Sequence, residues 1–204
     1  MIDTVQPATR VALFDEFLVG EEWNGLLEYT YTHEYAFVPT SVIRRGEDHL
    51  DHDVRRSLVL FDLERYHDIF VQRLLSFFPQ ILTQLDYPWF PVGHVEVQMT
   101  GTGDGEYFRM HTDNGSNEVA TRAITFVYFY FREPRPFAGG ELQIHDTTFD
   151  NGQAVANGSS QMIVPAQNQV VFFPSHCFHE IRPVDCPSGA FADRRFTVNG
   201  WFHV

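Results

Sequence analysis

The chain has 204 residues, of which 44% are hydrophobic and 15% aromatic, so it can bury the core of one folded domain. Its formal net charge of −13 repels phosphate backbones and anionic membrane surfaces, and its basic residues form no run longer than a pair of arginines. No uninterrupted apolar segment approaches transmembrane length. We therefore expect no nucleic-acid partner and no membrane association.

The N-terminus lacks the basic region and apolar run that mark a signal peptide. The only two cysteines, Cys177 and Cys186, are not spaced as a CxxC pair, which suits a reducing compartment. A short disulfide loop between them stays open at this point. These patterns predict a cytoplasmic protein, and none of them indicates an oligomeric state.

Residues 1–90 show the patterns of one strand and its flanking helices. The run VALFDEFLVG predicts a short strand, and EEWNGLLEYTYTH has apolar residues at helical spacing. A longer apolar stripe from Leu63 to Leu85 predicts a helix that ends or kinks at Pro79. The polar segment GEDHLDHDVRRS predicts a loop, whose acidic residues 48–53 either cover a substrate or bind a second metal.

Residues 91–204 change to short β-branched and aromatic runs separated by turn residues. Eight such runs follow one another, and they predict eight strands. A mainly β chain of this pattern is typical of a jelly roll, or double-stranded β-helix, flanked by N-terminal helices. We expect a single domain over residues 1–204, with the jelly-roll catalytic core in residues 91–204. The eight runs are HVEVQMT, EYFRMHTD, TRAITFVYFYF, GELQIHD, SQMIVPA, QVVFFPS, CFHEIRPV and RRFTVNGWFHV.

The segment EYFRMHTDNG places a histidine and an aspartate two residues apart at a strand end. Residues two apart in a strand point to the same face, so His111 and Asp113 can aim into one barrel mouth. An imidazole and a carboxylate on one face make two thirds of the facial triad that binds non-haem Fe(II). The alternative is a polar strand end before the turn at Asn114-Gly115.

A second histidine on a later strand favours the metal site over the polar strand end. FFPSHCFHEIRPV offers His176 and His179, of which His179 lies inside an alternating run and His176 follows a turn signal. We therefore predict His179 as the distal ligand. Two alternatives remain, an HxxH zinc site with both histidines and a Cys177 nucleophile activated by His176.

The last strand carries a basic residue in an otherwise apolar segment. Arg195 and Thr197 share one face of RRFTVNGWFHV, and a guanidinium inside a barrel needs an anion, such as a carboxylate, to offset its desolvation. Arg194 lies on the opposite face, where a surface ion pair with an acidic residue is the simpler interpretation.

These patterns together resemble the 2-oxoglutarate- and Fe(II)-dependent dioxygenases, in the branch related to prolyl hydroxylases. The resemblance covers about residues 94–203 and includes GDGEYFRMHTDN, FAGGELQIHD, FFPSHCFHEIRPV and RRFTVNGWF. It implies an Fe(II) bound by His111, Asp113 and His179, with dioxygen as a further cosubstrate and ascorbate as a candidate reductant. It also implies that Arg195, with Thr197 on the same face, binds the 2-oxoglutarate.

Two positions qualify what the resemblance implies. Several relatives have a tyrosine on the strand after the HxD pair that contacts the cosubstrate, but Phe129 stands there in this chain, between Tyr128 and Tyr130. Related halogenases replace the carboxylate ligand with a small residue. Because Asp113 retains the carboxylate, the resemblance implies hydroxylation, or desaturation or ring formation.

The substrate is predicted only by class. The acidic composition favours a neutral or cationic partner, and alternate residues of TFVYFYF predict a pocket with apolar walls. We expect a prolyl or other amino-acid-like unit in a peptide, with a free amino acid or natural product as the alternative. A jelly-roll binding protein with an inactive site is the rival class. The segments expected to contact the substrate are residues 37–60, 101–106 and 146–158.

Overall fold

A computed structural model describes residues 9–44, 47–49 and 51–204 of the chain. Three helices and fifteen strands are found in these residues. The helices are α1 (Glu21–Asn24), α2 (Leu26–Thr32) and α3 (Arg65–Leu85). The strands are β1 (Ala12–Phe14), β2 (Val38–Pro39), β3 (Val42–Arg44), β4 (Glu47–His49), β5 (Leu58–Leu60), β6 (His94–Thr102), β7 (Phe108–His111), β8 (Arg122–Tyr130), β9 (Ala138–Gly139), β10 (Leu142–Asp150), β11 (Gln153–Ile163), β12 (Gln169–Pro174), β13 (His179–Ile181), β14 (Val184–Asp185) and β15 (Arg195–His203).

The strands form two main antiparallel sheets. The larger has seven strands in the order β1-β12-β8-β15-β6-β5-β2, and the smaller has four in the order β11-β10-β13-β7. The pairs β14-β9 and β3-β4 are separate two-stranded ribbons. Each of the eight predicted runs overlaps at least one strand, and the predicted jelly roll with N-terminal helices is confirmed.

The main core lies between α3 and one face of the seven-stranded sheet. Phe70 of α3 meets Tyr128 with ring centroids 5.2 Å apart, and Phe78 stacks on Phe202 at 5.3 Å. Large buried side chains of this kind contribute roughly 1.5–3 kcal/mol each when they leave water. Because side chains alternate along a strand, filling this face with aromatic rings leaves the opposite face free to form a pocket.

Two helical details differ from the sequence prediction. The first predicted helix is divided at Gly25, where a Cβ atom would lie 2.6 Å from the hydroxyl oxygen of Tyr66, so only glycine lets α3 approach this closely. The second predicted helix passes through Pro79, so of the two predicted outcomes, an end or a kink, the end is wrong. Proline cannot donate to the carbonyl of Leu75, but that residue is 43% exposed and water can reach this side of the helix.

The segment predicted as a loop contains β4 near its start, and β4 pairs with β3, which precedes the segment. Residues 45, 46 and 50 and the side chains of residues 42–49 lie outside the described part, and the suggested second metal site of residues 48–53 therefore lies partly outside it. Cys177 and Cys186 are both buried free thiols, which answers the open question of a disulfide between them. Among the described residues, no helix combines the length and apolarity needed to cross a membrane.

Candidate metal centre

Strand pairing brings His111 and His179 together. Strands β7 and β13 are antiparallel neighbours, with His179 directly opposite His111 and the ring centroids 4.2 Å apart. Asp113 follows β7, and its backbone N–H donates to the carbonyl of Ser175 over 2.9 Å. One potential ligand atom from each of the three residues lies within 4.8 Å of the others. The fold therefore joins three side chains that sequence reasoning had linked only by pattern.

Backbone carbonyls fix the orientation of both imidazoles. Nδ1 of His111 lies 2.8 Å from the carbonyl oxygen of Arg109, and Nδ1 of His179 lies 3.0 Å from that of Cys177. A carbonyl only accepts, so each Nδ1 must carry the proton and each neutral ring keeps a lone pair on Nε2. Both Nε2 atoms lie 3.4 Å from oxygens of Asp113. Metal-binding histidines commonly donate one ring N–H to a backbone carbonyl in this way, which leaves the other nitrogen for the metal.

The charge states of the cluster suit a cation. Burial alone would raise the pKa of Asp113, but the nearby His179 and His111 outweigh that effect and hold the pKa far below its usual range. Burial lowers the pKa of His179 to about 4, against the opposing effect of Asp113. At neutral pH the cluster therefore offers an ionised carboxylate and an unprotonated His179. Two imidazole nitrogens and a carboxylate fit Fe(II).

Two hydroxyl groups fix the orientation of the Asp113 carboxylate by hydrogen bonding. Thr125 on β8 donates to Oδ2 of Asp113 over 2.7 Å, and the hydroxyl of Ser175 lies 3.0 Å from that of Thr125. Both hydroxyl-bearing residues are buried. Because Thr125 uses its proton on Asp113, Ser175 must donate to Thr125, and the chain of hydrogen bonds has one direction.

We expect Thr125→Val to weaken Fe(II) binding by roughly 10- to 100-fold, the usual cost of losing an outer partner of a metal ligand. Titration of the metal-free protein with Fe(II) under anaerobic conditions measures the effect. Thr100→Val is the matched control, because the Thr100 hydroxyl donates to Asn199 over 2.8 Å and not to the metal cluster. Equal affinities for the two variants would contradict the role of Thr125.

The two alternative uses of His176 and Cys177 are wrong for this geometry. His176 lies in a turn beside Phe149, with ring centroids 4.9 Å apart, and the described metal-ligand cluster does not include it. Burial raises the pKa of the Cys177 thiol to about 12, so the thiolate that a nucleophile requires is not populated at neutral pH.

Arg195 is buried with an unused donor. It is 1% exposed, its Nε donates to the carbonyl of Gly140 over 2.6 Å, and its Nη2 has no hydrogen-bond partner. Gly140 has φ +69°, and a Cβ there would lie 2.6 Å from Cδ of Arg195, so glycine makes room for the guanidinium. A buried donor without a partner fits a carboxylate oxygen of a bound molecule.

Arg194 and Thr197, the two polar neighbours of Arg195, lie on opposite faces of the chain, as strand alternation predicts. Arg194 points the other way and pairs with Glu106 over 2.7 Å, as expected for a structural ion pair. Thr197 is 3% exposed and lines the same pocket as Arg195. Its hydroxyl lies 3.4 Å from Asn199, a weak contact that a stronger acceptor can replace.

Neither tyrosine beside Phe129 lines the pocket. Tyr128 donates to Asn168 over 2.9 Å, and the Tyr130 hydroxyl lies 2.9 Å from that of Thr30, so both belong to the helical face of the sheet. The guanidinium of Arg195 instead lies 5.1 Å from the ring centroid of Phe129. The large aromatic side chains of TFVYFYF thus mainly fill the core, and the prediction of apolar pocket walls is only partly right.

The pocket that contains these groups has a volume of about 520 Å³ and is lined by a mixture of polar, charged and apolar side chains. From the segments expected to contact the substrate, residues 37–60 contribute six lining residues, 101–106 contribute Thr102, and 146–158 contribute none. The polar and charged lining from the large sheet is Glu96, Gln98, Thr100 and Thr102 of β6, Arg122 and Thr125 of β8, and Arg195, Thr197 and Asn199 of β15.

Sequence reasoning missed two further arginines in the pocket wall, Arg55 and Arg122. Nη2 of Arg122 lies 3.0 and 2.9 Å from the two carboxylate oxygens of Glu96, and its guanidinium lies 3.4 Å from a ring centroid of Trp201. A β-bulge opposite His203 skips Ala123 in the pairing of β8 with β15. Because a bulge breaks the two-residue alternation, no sequence pattern could have placed Arg122 on this face.

The sequence model of the 2OG-Fe(II) oxygenase superfamily matches residues 96–203, which include the histidines, the aspartate and Arg195. The chain therefore belongs to the 2OG-Fe(II) oxygenase superfamily. Membership implies Fe(II), 2-oxoglutarate and dioxygen as cofactor and cosubstrates. The three clustered ligand atoms and the unpartnered donor of Arg195 are consistent with that set.

The chain is similar to an uncharacterized PKHD-type hydroxylase of Synechocystis sp., with 42% identity over 187 residues. The match covers 91% of this chain but only 60% of that relative's length. Among solved structures, a Pseudomonas putida prolyl-4-hydroxylase has a TM-score of 0.67 at 16% identity, covering 96% of this chain and 92% of the other. A Trichoplax adhaerens prolyl hydroxylase in complex with a hypoxia inducible factor peptide fragment has a TM-score of 0.65 at 15% identity, covering 96% and 84%. These structures establish the fold.

Proposed function

We propose that the protein is an Fe(II)- and 2-oxoglutarate-dependent dioxygenase that hydroxylates an unactivated C–H bond of an amino-acid-like unit, with a prolyl residue in a peptide as the first candidate. One observation carries the proposal. The ligand atoms of His111, Asp113 and His179 cluster in the same pocket that Arg195 lines, and Nη2 of Arg195 has no hydrogen-bond partner. A site for a metal and a site for a carboxylate therefore share one cavity.

Each residue has a definite task in this proposal. His111, Asp113 and His179 hold the metal on one side, with the imidazoles fixed by backbone carbonyls and the carboxylate fixed by Thr125. Arg195 and Thr197 hold the far carboxylate of 2-oxoglutarate. When bound, Fe(II), 2-oxoglutarate and dioxygen supply the oxidising chemistry that inserts an oxygen atom into a C–H bond.

The protein supplies position and exclusion of water rather than acid–base chemistry. The pairing of β7 with β13 places the two histidines opposite each other on neighbouring strands, so these two ligands are positioned before the metal binds. Phe173 packs edge-on against His179 with centroids 4.7 Å apart and shields that ring from solvent. The wall of the pocket beyond the triad is left for the substrate.

The choice of an amino-acid-like substrate rests on similarity and on size. The relatives named above include a PKHD-type hydroxylase and two prolyl hydroxylases, one of them in complex with a peptide. A pocket of about 520 Å³ accommodates one side chain or a small metabolite together with the cosubstrate. A free amino acid or a natural product is therefore the second candidate, since a pocket of this volume can enclose the entire molecule.

The test is succinate formation from 2-oxoglutarate by the purified protein with Fe(II), while peptide and small-molecule pools are screened side by side. We expect product mass to increase by one oxygen atom with a proline-containing peptide or an amino-acid-like compound. Methylated oligonucleotides serve as the comparison class. Demethylation of the nucleic acid with no oxygen added elsewhere would contradict the proposal, and absence of 2-oxoglutarate binding would favour an inactive binding protein.

A further inference from the structure

Arg55 is a guanidinium in the pocket wall next to the metal cluster. It lies in the segment between β4 and β5 and stacks over Phe108, with its central carbon 4.6 Å from the ring centroid. Phe108 in turn stacks on His111 with ring centroids 3.5 Å apart. Arg55 is therefore only one aromatic layer away from a candidate iron ligand.

The backbone around Arg55 is held firmly against β7. The N–H of Arg56 donates to the carbonyl of Tyr107 over 2.8 Å, and the N–H of Arg109 donates to the carbonyl of Val54 over 2.9 Å. Arg55 itself pairs with Phe108 as an isolated bridge. The guanidinium is thus positioned before any ligand arrives, which lowers the entropic cost of binding one.

No acid neutralises Arg55 among the residues that the structure describes. Its Nε lies 3.1 Å from the hydroxyl of Ser57, and no ion pair joins it to a carboxylate in that part of the chain. Burial lowers its pKa to about 10, so it stays charged at neutral pH. The carboxylate of Asp113 is close enough to raise the pKa of Arg55 against the effect of burial, but it forms no ion pair with Arg55. A half-buried cation without an ion-pair partner is costly unless a ligand provides the counter-charge.

The other charges of the pocket balance without Arg55. Arg122 is paired with Glu96, and in the loaded enzyme Asp113 and the two carboxylates of 2-oxoglutarate balance Fe(II) and Arg195. Arg55 is the one charged group in the described lining that this balance leaves over. Because only the ring of Phe108 separates Arg55 from His111, this excess positive charge lies close to the metal cluster.

We propose that Arg55 binds a carboxylate of the substrate close to the carbon that is oxidised. A guanidinium presents paired donors in a planar fork that matches a carboxylate, and its stacking on Phe108 keeps that plane fixed. The inference rests on the proposed function and narrows its substrate to an acid. It replaces the expectation of a neutral or cationic substrate, which came from the charge of the whole chain and not from the pocket.

The carboxylate has two sources, a terminal α-carboxylate or an acidic side chain beside the oxidised residue. The test uses matched probes for each source. One set pairs proline-containing dipeptides and N-acetyl amino acids with their primary amides, and the other pairs amidated proline-containing peptides that differ only in Asp against Asn next to proline. Calorimetric titration of the Fe(II)- and 2-oxoglutarate-loaded enzyme without oxygen measures binding of each pair.

We expect the acid to bind roughly 10- to 100-fold more tightly than its amide in at least one set, the usual gain from a charge-assisted pair. Arg55→Gln should reduce that ratio to about one, and Arg55→Lys should keep part of it because the charge remains without the fork. Arg56→Gln is the matched control, since Arg56 is exposed and lies outside the pocket lining. It should leave the ratio unchanged.

Two results would overturn the proposal, a wild-type enzyme that favours no acid over its amide, and a preference that survives Arg55→Gln. Binding of 2-oxoglutarate is measured first in every variant, which separates this inference from the one on which it rests. Tight 2-oxoglutarate binding without any acid preference removes only the role of Arg55. Failure to bind 2-oxoglutarate removes both.

Discussion

Protein carrying His179→Ala should retain no Fe(II) and turn over no 2-oxoglutarate, whereas His176→Ala should retain both. His179 is 4% exposed, and its free Nε2 faces Asp113, so its removal leaves two of the three clustered ligands. The loss should exceed the roughly 10- to 100-fold effect of changing an outer partner, because a ligand itself disappears. Metal content after gel filtration and succinate formation are the two measurements.

His176 is a demanding control because it lies three residues away and belongs to the same sequence run. Chelators should abolish turnover by the wild-type and His176→Ala proteins alike, and added Fe(II) should restore it in both. If His176→Ala lost the metal while His179→Ala kept it, the assignment of the distal ligand would be wrong.

Arg195→Met should raise the 2-oxoglutarate concentration needed for half-maximal turnover steeply, with little change in Fe(II) content. Truncating one partner of a desolvated charge pair costs roughly 2–5 kcal/mol, which corresponds to about 30- to 4,000-fold in affinity. Methionine keeps much of the buried volume, so the loss reports the guanidinium and not a collapsed core. Direct titration with 2-oxoglutarate without oxygen measures the same quantity independently of turnover.

Arg194→Met is the matched control for Arg195→Met, because it removes the adjacent arginine on the opposite face. Arg194 pairs with Glu106, so its substitution should lower thermal stability somewhat while leaving 2-oxoglutarate affinity near that of the wild type. Equal losses of affinity at both positions would show that neither arginine is a dedicated anchor for the cosubstrate.

The strands and the candidate ligands could be predicted because their signals are local or repeated. Alternation placed Arg195 and Thr197 on one face, and the HxD spacing placed His111 and Asp113 together, since both depend only on the two-residue period of a strand. The position of His179 opposite His111 depends on the register of β13 with β7, which no local pattern encodes. Alternation selected His179 over His176 and the resemblance grouped it with His111 and Asp113, but neither supplied the register of the two strands.

The remaining features depend on contacts between distant parts of the chain. Alternation alone shows that Tyr128 and Tyr130 share a face, but only the packing of α3 shows that this face is the core. Arg55 lies in a polar segment that contacts β7 through backbone hydrogen bonds. Because backbone hydrogen bonds do not depend on residue type, the sequence could not predict this contact. The division of the first helix at Gly25 likewise follows from the approach of Tyr66, 41 positions later.

The two faces of the seven-stranded sheet have different roles, and this separation affects how the substrate of the enzyme can change during evolution. One face holds the aromatic packing against α3, and the other presents threonines, glutamine and asparagine to the pocket. Apart from Thr125, Arg195 and Thr197, to which the proposal assigns the metal and the cosubstrate, residues on the pocket face can be substituted to change which molecule is recognised without disturbing the packing against α3. A lineage can therefore acquire a new substrate without first having to regain stability. This separation is consistent with a shared architecture at only 15–16% identity to the two prolyl hydroxylase structures.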